Sequence, residues 1–157
     1  MLHANARLAL PAIALATGLV VAYEGMENKP YKDIVGVNTV CYGYTTTVDM
    51  GRIYSNEECK HLLNKELLRF HDGVSKVIHH PIPDTSKAAF ISLAYNVGLG
   101  NIQRSTLAKK ANRGDVKGAC EEIKRWVYVG GKDCRKKENK CSGIVRRRDA
   151  EYKLCTS

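Results

Sequence analysis

The 157-residue chain has no Cys-x-x-Cys pair, no internal repeat and no low-complexity stretch. Its six cysteines (Cys41, Cys59, Cys120, Cys134, Cys141, Cys155) lack the tight knuckle spacing of zinc ligands. Its five histidines are scattered apart from His79-His80, so neither a metal nor any other cofactor is expected. The basic C-terminal stretch shows neither zinc-finger spacing nor an aromatic RNA-binding motif, which argues against nucleic acid as a partner. The uncharged run from Leu8 to Ala22 has fifteen residues, against the roughly 20 that a transmembrane helix typically needs. Strand-like patterning is confined to about 31–44, and no linker divides the chain. The expectation is one α+β domain, monomeric and mainly helical, with a single small sheet near the N-terminus and two lobes around a cleft.

What is present is distributed unevenly. Hydrophobic residues make up 44% of the chain and charged ones 26%, which suits a globular protein with a real core. Net charge is +9, and between Lys124 and Lys153 eleven Lys/Arg face four Asp/Glu, a local excess of +7. Such a field draws polyanionic surfaces, cell wall among them. An even number of cysteines without metal spacing fits three disulfides in an oxidising compartment. Six cysteines allow fifteen pairings. Cys134 and Cys141 bracket a short charged loop and can close it, while Cys120 and Cys155 lie on two expected helices that can pack together. That leaves Cys41 with Cys59, tying a hairpin to the next helix.

Helix signals punctuate the rest. Ser55-Asn-Glu-Glu58 is a capping box, opening a helix with an apolar stripe of Cys59, Leu62, Leu63, Leu67 and Phe70 that should stop near Gly73. His79-His-Pro-Ile-Pro83 breaks the chain. Asp84 is read as the cap of an apolar helix ending at Asn96-Val-Gly98, and Ser105, Asp115 and Ser142 as caps of later ones. Arg146 to Arg148 read as a solvated or ion-paired face of the last helix.

Three residues suggest chemistry: Glu24, Asp33 and Thr39, spaced E-x8-D-x5-T. Glycoside cleavage needs one carboxylic acid for the leaving oxygen and a second carboxylate acting on the opposite face of the sugar. A hydroxyl such as that of Thr39 can orient the water. Glu24 ends an apolar run, where desolvation would keep it protonated, whereas Asp33 stands beside Lys32 in a polar hairpin and would stay ionised. Spacing alone carries little specificity.

The flanking residues add a resemblance. Ala22-Tyr-Glu-Gly, Pro30-Tyr-Lys-Asp and Thr39-Val-Cys-Tyr-Gly-Tyr-Thr45 resemble the active-site region of phage-type lysozymes, glycoside hydrolase family 24. Ala88-Ala-Phe-Ile-Ser-Leu-Ala-Tyr-Asn-Val-Gly-Leu-Gly100 is similar to that family's central buried helix. Ser105-Thr-Leu, Asn112-Arg-Gly-Asp115, Trp126-Val-Tyr-Val-Gly-Gly131 and Arg147-Arg-Asp-Ala-Glu151 match its later landmarks in order. The family often has Gly where this chain has Cys41. Cys occurs there in the exported endolysins of lambdoid-like phages, the subgroup this chain resembles most.

The resemblance implies hydrolysis of the β-1,4 bond between N-acetylmuramic acid and N-acetylglucosamine in peptidoglycan, with inversion, Glu24 as acid, and Asp33 and Thr39 handling the water. Tyr31, Tyr42, Tyr95 and Asn96 are further candidates to line the cleft, where aromatic faces and amides suit N-acetyl sugars. Two rival readings stand beside it. A lytic transglycosylase would need no water, which leaves Asp33 and Thr39 without a task. A cationic, non-enzymatic wall-binding or membrane-permeabilising protein would rely on the basic stretch instead.

The run at 8–22 admits three readings: a cleaved signal peptide, an ordinary buried helix, or a signal-anchor that later leaves the bilayer. Cleavage after Ala22 would leave Glu24 second in the mature chain, where a frayed terminus cannot fix an acid. The resemblance points to the signal-anchor-release reading. It divides the chain into an anchor, 1–23, and a catalytic part, 24–157, exported, tethered to the inner membrane and then released to the periplasm. As a helix the run would place Leu15, Leu19, Ala22, Tyr23 and Met26 on one face, with Gly18, Val21 and Glu24 on another.

Overall fold

The computed structural model describes residues 4–157, with side-chain surroundings from residue 9 onward. The element order is α1 (Ala4–Tyr23), β1 (Glu27–Lys32), β2 (Asn38–Cys41), α2 (Asn56–Val77), α3 (Asp84–Val97), α4 (Leu99–Gln103), α5 (Thr106–Asn112), α6 (Val116–Glu122), β3 (Tyr128–Val129), β4 (Lys132–Asp133) and α7 (Ser142–Cys155). Short 3₁₀ turns cover Ile123–Arg125 and Lys137–Asn139. This is the helical α+β class expected, with a hairpin β1–β2 near the N-terminus.

The core forms around α3, which buries Ala88, Ala89, Phe90, Ile91, Leu93 and Ala94. α1 packs chiefly on α3 and also on α2 and α7. Its buried stripe is Ala9, Ala12, Ala16 and Val20, whereas Leu15, Ala22, Tyr23 and Met26 are exposed and Leu19 is half-buried. The docking stripe is therefore neither of the two faces that helical spacing groups in the sequence. Small residues win because the facing stretch of α3 is itself rich in Ala and Ser, and two small-residue surfaces let the helix axes approach closely. A larger Leu stripe would hold them apart.

α2 starts on the capping box: Ser55 Oγ accepts from Glu58 N–H and the Glu58 carboxylate accepts from Ser55 N–H. Its buried residues are Cys59, Leu63, Leu67, Phe70 and Val74, with Leu62 half-buried. The helix runs four residues beyond Gly73 to Val77. Gly73 is not a stop signal but a contact point, since a Cβ there would lie 2.4 Å from Leu99 Cδ1. Asp84 and Ser142 do not cap. The caps of α3 and α7 are Pro83 and Cys141, and neither makes a side-chain capping bond. Ser142 Oγ instead accepts from Arg146 Nη1. Ser105 and Asp115 do cap α5 and α6.

A second two-stranded sheet, β3–β4, was not anticipated. It turns at Gly130 and Gly131, both with positive φ, a conformation that a Gly-Gly pair adopts without steric penalty. The cysteines pair as Cys41–Cys59, Cys120–Cys155 and Cys134–Cys141. The first joins β2 to α2, the second α6 to α7, and the third closes the basic loop before α7. Among the described residues, no helix is long and apolar enough to cross a membrane.

Candidate active site

Glu24 sits one residue past α1, its N–H donating to Val20 O at 2.7 Å and so completing the last helical turn. Val20 is fully buried, which fixes the backbone at that point. The carboxylate reaches α7, where Oε1 accepts from Arg147 Nη1 at 2.9 Å. Arg147 is 3% exposed and the Glu24 side chain 24%. The apolar, desolvating pocket expected for Glu24 is thus replaced by a buried guanidinium on one side and open space on the other.

Arg147 is held from behind, its Nη2 donating to Ser92 O on α3 at 3.2 Å. Arg148 donates from Nε to Trp126 O at 2.7 Å, from Nη1 to Glu151 Oε1 and from Nη2 to Asn96 Oδ1. Glu151 is fully buried. Burial pushes its carboxyl upward, opposed by the two arginines, and pushes the Arg148 guanidinium downward. The ion-paired reading of Arg146 to Arg148 therefore holds for the last two, and Arg146 is exposed.

Glu24 lies on the ridge between two depressions. One, about 570 Å³, is lined by Glu24, Met26, Glu27, Lys29, Tyr31 and Gly43. The other, about 630 Å³, is lined by Tyr23, Glu24, Asn96, Lys140, Arg146 and Arg147, among others. A larger depression, about 730 Å³, adjoins the second through Asn96 and Ile144 and does not include Glu24. Chemistry, not size, singles out the first two. Gly43 brings the hairpin side close: a Cβ there would stand 3.7 Å from Glu24 Oε2, and its φ of +79° suits glycine.

Asp33 and Thr39 occupy the hairpin. Asp33 Oδ1 accepts from Val35 N–H at 3.0 Å and Val37 N–H at 2.9 Å, so the same carboxylate that is a candidate for chemistry also shapes the turn. Thr39 is buried and its Oγ1 donates to Val37 O at 2.9 Å. Neither residue lines the depressions around Glu24 directly. Thr39 is register partner to Tyr31, however, and opposed residues of an antiparallel pair share a face, which puts Thr39 on the side of the sheet where Tyr31 meets the cleft.

The remaining candidates divide. Tyr31 lines the first depression and Asn96 the other two, although Asn96 Oδ1 is already taken by Arg148. Tyr95 packs its ring on Phe70, centroids 5.3 Å apart, and its hydroxyl donates to Tyr42 O. Burial and the Glu24 and Glu66 charges raise the Tyr95 phenol, so it remains a donor. Tyr42 and Tyr95 thus tie the hairpin region to the helical core, whereas Tyr31 faces the cleft. Arg147, the partner of Glu24, was not singled out as part of the site. The available signal was its spacing of i, i+4 to Glu151 on a helix that otherwise looks solvated.

Comparisons with known proteins agree on the family. The family model described as phage lysozyme matches residues 21–151. The SAR-endolysin of Bacteriophage PS119 is 44% identical over 92% of this chain and 86% of its own length; that of Enterobacteria phage P21 is 43% identical over 92% and 87%. Among solved structures, a mutant of P22 lysozyme has a TM-score of 0.76 at 25% identity, covering 90% of this chain and 95% of that one. The matched span begins within the last turn of α1 and ends at Glu151, so it takes in Glu24, the hairpin and the buried arginines together. With its candidate carboxylates and α2 to α6 inside that span, the chain belongs to the phage lysozyme family and is a lysozyme of the endolysin kind.

Proposed function

We propose that Glu24 is the general acid that protonates the leaving oxygen of a β-1,4 bond between N-acetylmuramic acid and N-acetylglucosamine, with inversion at the anomeric carbon. Asp33 activates the attacking water and Thr39 orients it. The observation that carries this reading is the setting of Glu24, a carboxylate on the ridge between two depressions and anchored at 2.9 Å by a buried arginine. A general acid must be held in place while keeping a face open to substrate, and Glu24 meets both conditions. Asp33 keeps Oδ2 outside the turn-forming bonds that occupy Oδ1. Tyr31 offers an aromatic face to the sugar beside Glu24.

The substrate is peptidoglycan, and a protein that reaches it is exported. In this reading residues 8–22 act first as a marginal signal-anchor at the inner membrane and then as α1 of the released, monomeric, periplasmic enzyme. Burial of Ala12, Ala16 and Val20 in the main core supports this, because a cut after Ala22 would remove a core helix together with the support of the acid. The relatives bearing the name SAR-endolysin support it too. While α1 spans lipid, Glu24 stands at the membrane surface apart from Arg147, and the site is incomplete.

The test is Glu24→Gln in a wall-turbidity assay with thermal unfolding as control. A folded variant with turnover reduced about 10²–10⁴-fold or more is expected. Clearing at the wild-type rate would remove Glu24 from the chemistry. The anomeric configuration of the product reports inversion, and an anhydro-sugar product would instead assign a transglycosylase.

A further inference from the structure

Glu151 is a buried charge that the proposed chemistry leaves unused. It lies on α7 one turn beyond both arginines and is fully enclosed. Its Oε1 accepts from Arg148 Nη1. Its Oε2 has no hydrogen bond and stands 3.9 Å from Arg147 Nε, which is itself buried and unbonded. Arg147 is therefore shared: Nη1 serves Glu24, and Nε faces Glu151. Glu24, Arg147, Arg148 and Glu151 form a chain of two carboxyl and two guanidinium groups largely out of water.

The Arg147 guanidinium places a full positive charge 2.9 Å from Glu24. Glu151, on the far side of the same guanidinium, draws on the same positive charge. The other charged or titratable groups near Glu24 are more distant rivals. Arg146 and Lys140 line one depression, Glu27 and Lys29 on β1 the other, and Tyr23 the end of α1. Tyr95 on α3 stands behind it, itself faced by Glu66 and Arg69 of α2. The β2 exit presents Gly43, with no side chain. Among the described residues, only Arg147 bonds to the Glu24 carboxylate.

We propose that Glu151 is a positioning residue for the reaction: it locks Arg147 and Arg148 in place and balances their charge, so that Arg147 holds Glu24 at the cleft without an unshared positive charge beside it. The inference rests on the reading of Glu24 as the acid. Glu151 never meets substrate, and its influence passes through Arg147.

Glu151→Gln keeps the shape and the acceptor for Arg148 while removing the charge. Arg147 then has one carboxylate instead of two, and its positive charge falls on Glu24 unshared. The alkaline limb of the pH–activity profile should move about one pH unit toward acid, with the acid-side rate retained. The carboxyl ¹³C resonance of Glu24 should titrate with the same displacement. Profiles and titrations that superimpose on wild type in a folded variant would overturn the proposal. A displaced Glu24 titration with an unmoved activity profile would uphold the charge sharing and remove Glu24 as the acid. If Glu151→Gln does not fold, Glu151→Gln with Arg148→Gln deletes one charge of each sign, and its comparison with Arg148→Gln alone isolates the Glu151 charge. The same acidward shift is expected between those two variants, and its absence overturns the proposal equally.

Discussion

The two sides of the cleft are held by different means. Glu24 belongs to the helical side, where α1, α3 and α7 meet: Val20, four residues back, is buried in the core, and Arg147, with its own buried partners, comes from the far end of the chain. Asp33 and Thr39 belong to a hairpin whose turn is held by its own local hydrogen bonds and whose Ile34 and Val35 stand in solvent. The Cys41–Cys59 bridge and the Tyr42–Tyr95 and Asn28–Asn56 hydrogen bonds tie that hairpin to helices. An acid whose protonation depends on its neighbours needs a rigid, buried surround. A carboxylate that works on water needs access, and local hydrogen bonds are enough to shape its loop.

The comparison breaks most visibly at Arg147. Arg147→Met leaves Glu151 with one arginine instead of two and Glu24 with none, and removing one partner from a buried pair typically costs about 3–5 kcal/mol. Urea unfolding should show a loss of that order together with loss of wall clearing. A change under about 1 kcal/mol would mean that the helical side does not depend on this network.

On the hairpin side the corresponding staple is covalent. Cys41→Ser with Cys59→Ser opens an 18-residue separation, which on loop-entropy grounds costs about 3 kcal/mol. Cys41 has φ of +61°, a left-handed conformation that costs a non-glycine residue about 1–2 kcal/mol. Cys41→Gly with Cys59→Ser should therefore be more stable than the double serine variant. Equal unfolding midpoints for the two would show that the fold does not impose that conformation at position 41 once the bridge is gone.

A smaller effect tests the face on which α1 docks. Ala16 is fully buried and Leu15 is 39% exposed. Ala16→Leu overpacks the contact with α3 and should cost about 1–3 kcal/mol, whereas Leu15→Ala should change stability by under about 0.5 kcal/mol. The reverse order in thermal unfolding would return the helix to the face that its larger side chains suggest.

These regions also differ in how far the chain betrays them. The hairpin, the capping box at Ser55 and Glu58, and the Cys134–Cys141 loop are local, and local chemistry is written in neighbouring residues. Glu24, Asp33 and Thr39 were legible as candidates for the same reason, all falling within one short stretch. The docking face of α1 was not, because residues 8–22 carry no charge to mark a solvent side, and side-chain size pointed the wrong way. Gly73 read as a stop because its partner, Leu99, is distant in sequence. Arg147 lies 123 residues from Glu24, and within a run of three arginines nothing distinguishes the exposed one from the two that are buried. The β3–β4 hairpin carried a Gly-Gly turn signal, but strands of two residues leave no alternation to read.

In the proposed release, Glu24 becomes an acid only when α1 leaves lipid and docks. Ala14 and Gly18 are exposed on docked α1, and nothing lies within 4 Å of where a Gly18 Cβ would be. Ala14→Leu with Gly18→Leu makes the run a better membrane span while leaving the docking stripe intact. Membrane fractionation and lysis are followed in cells producing this variant, alongside the wall-clearing rate of the same protein freed from the membrane. The account predicts a variant retained in the membrane, cells that stay intact, and wild-type clearing once it is freed. Prompt lysis by a variant that remains in the membrane fraction would contradict it.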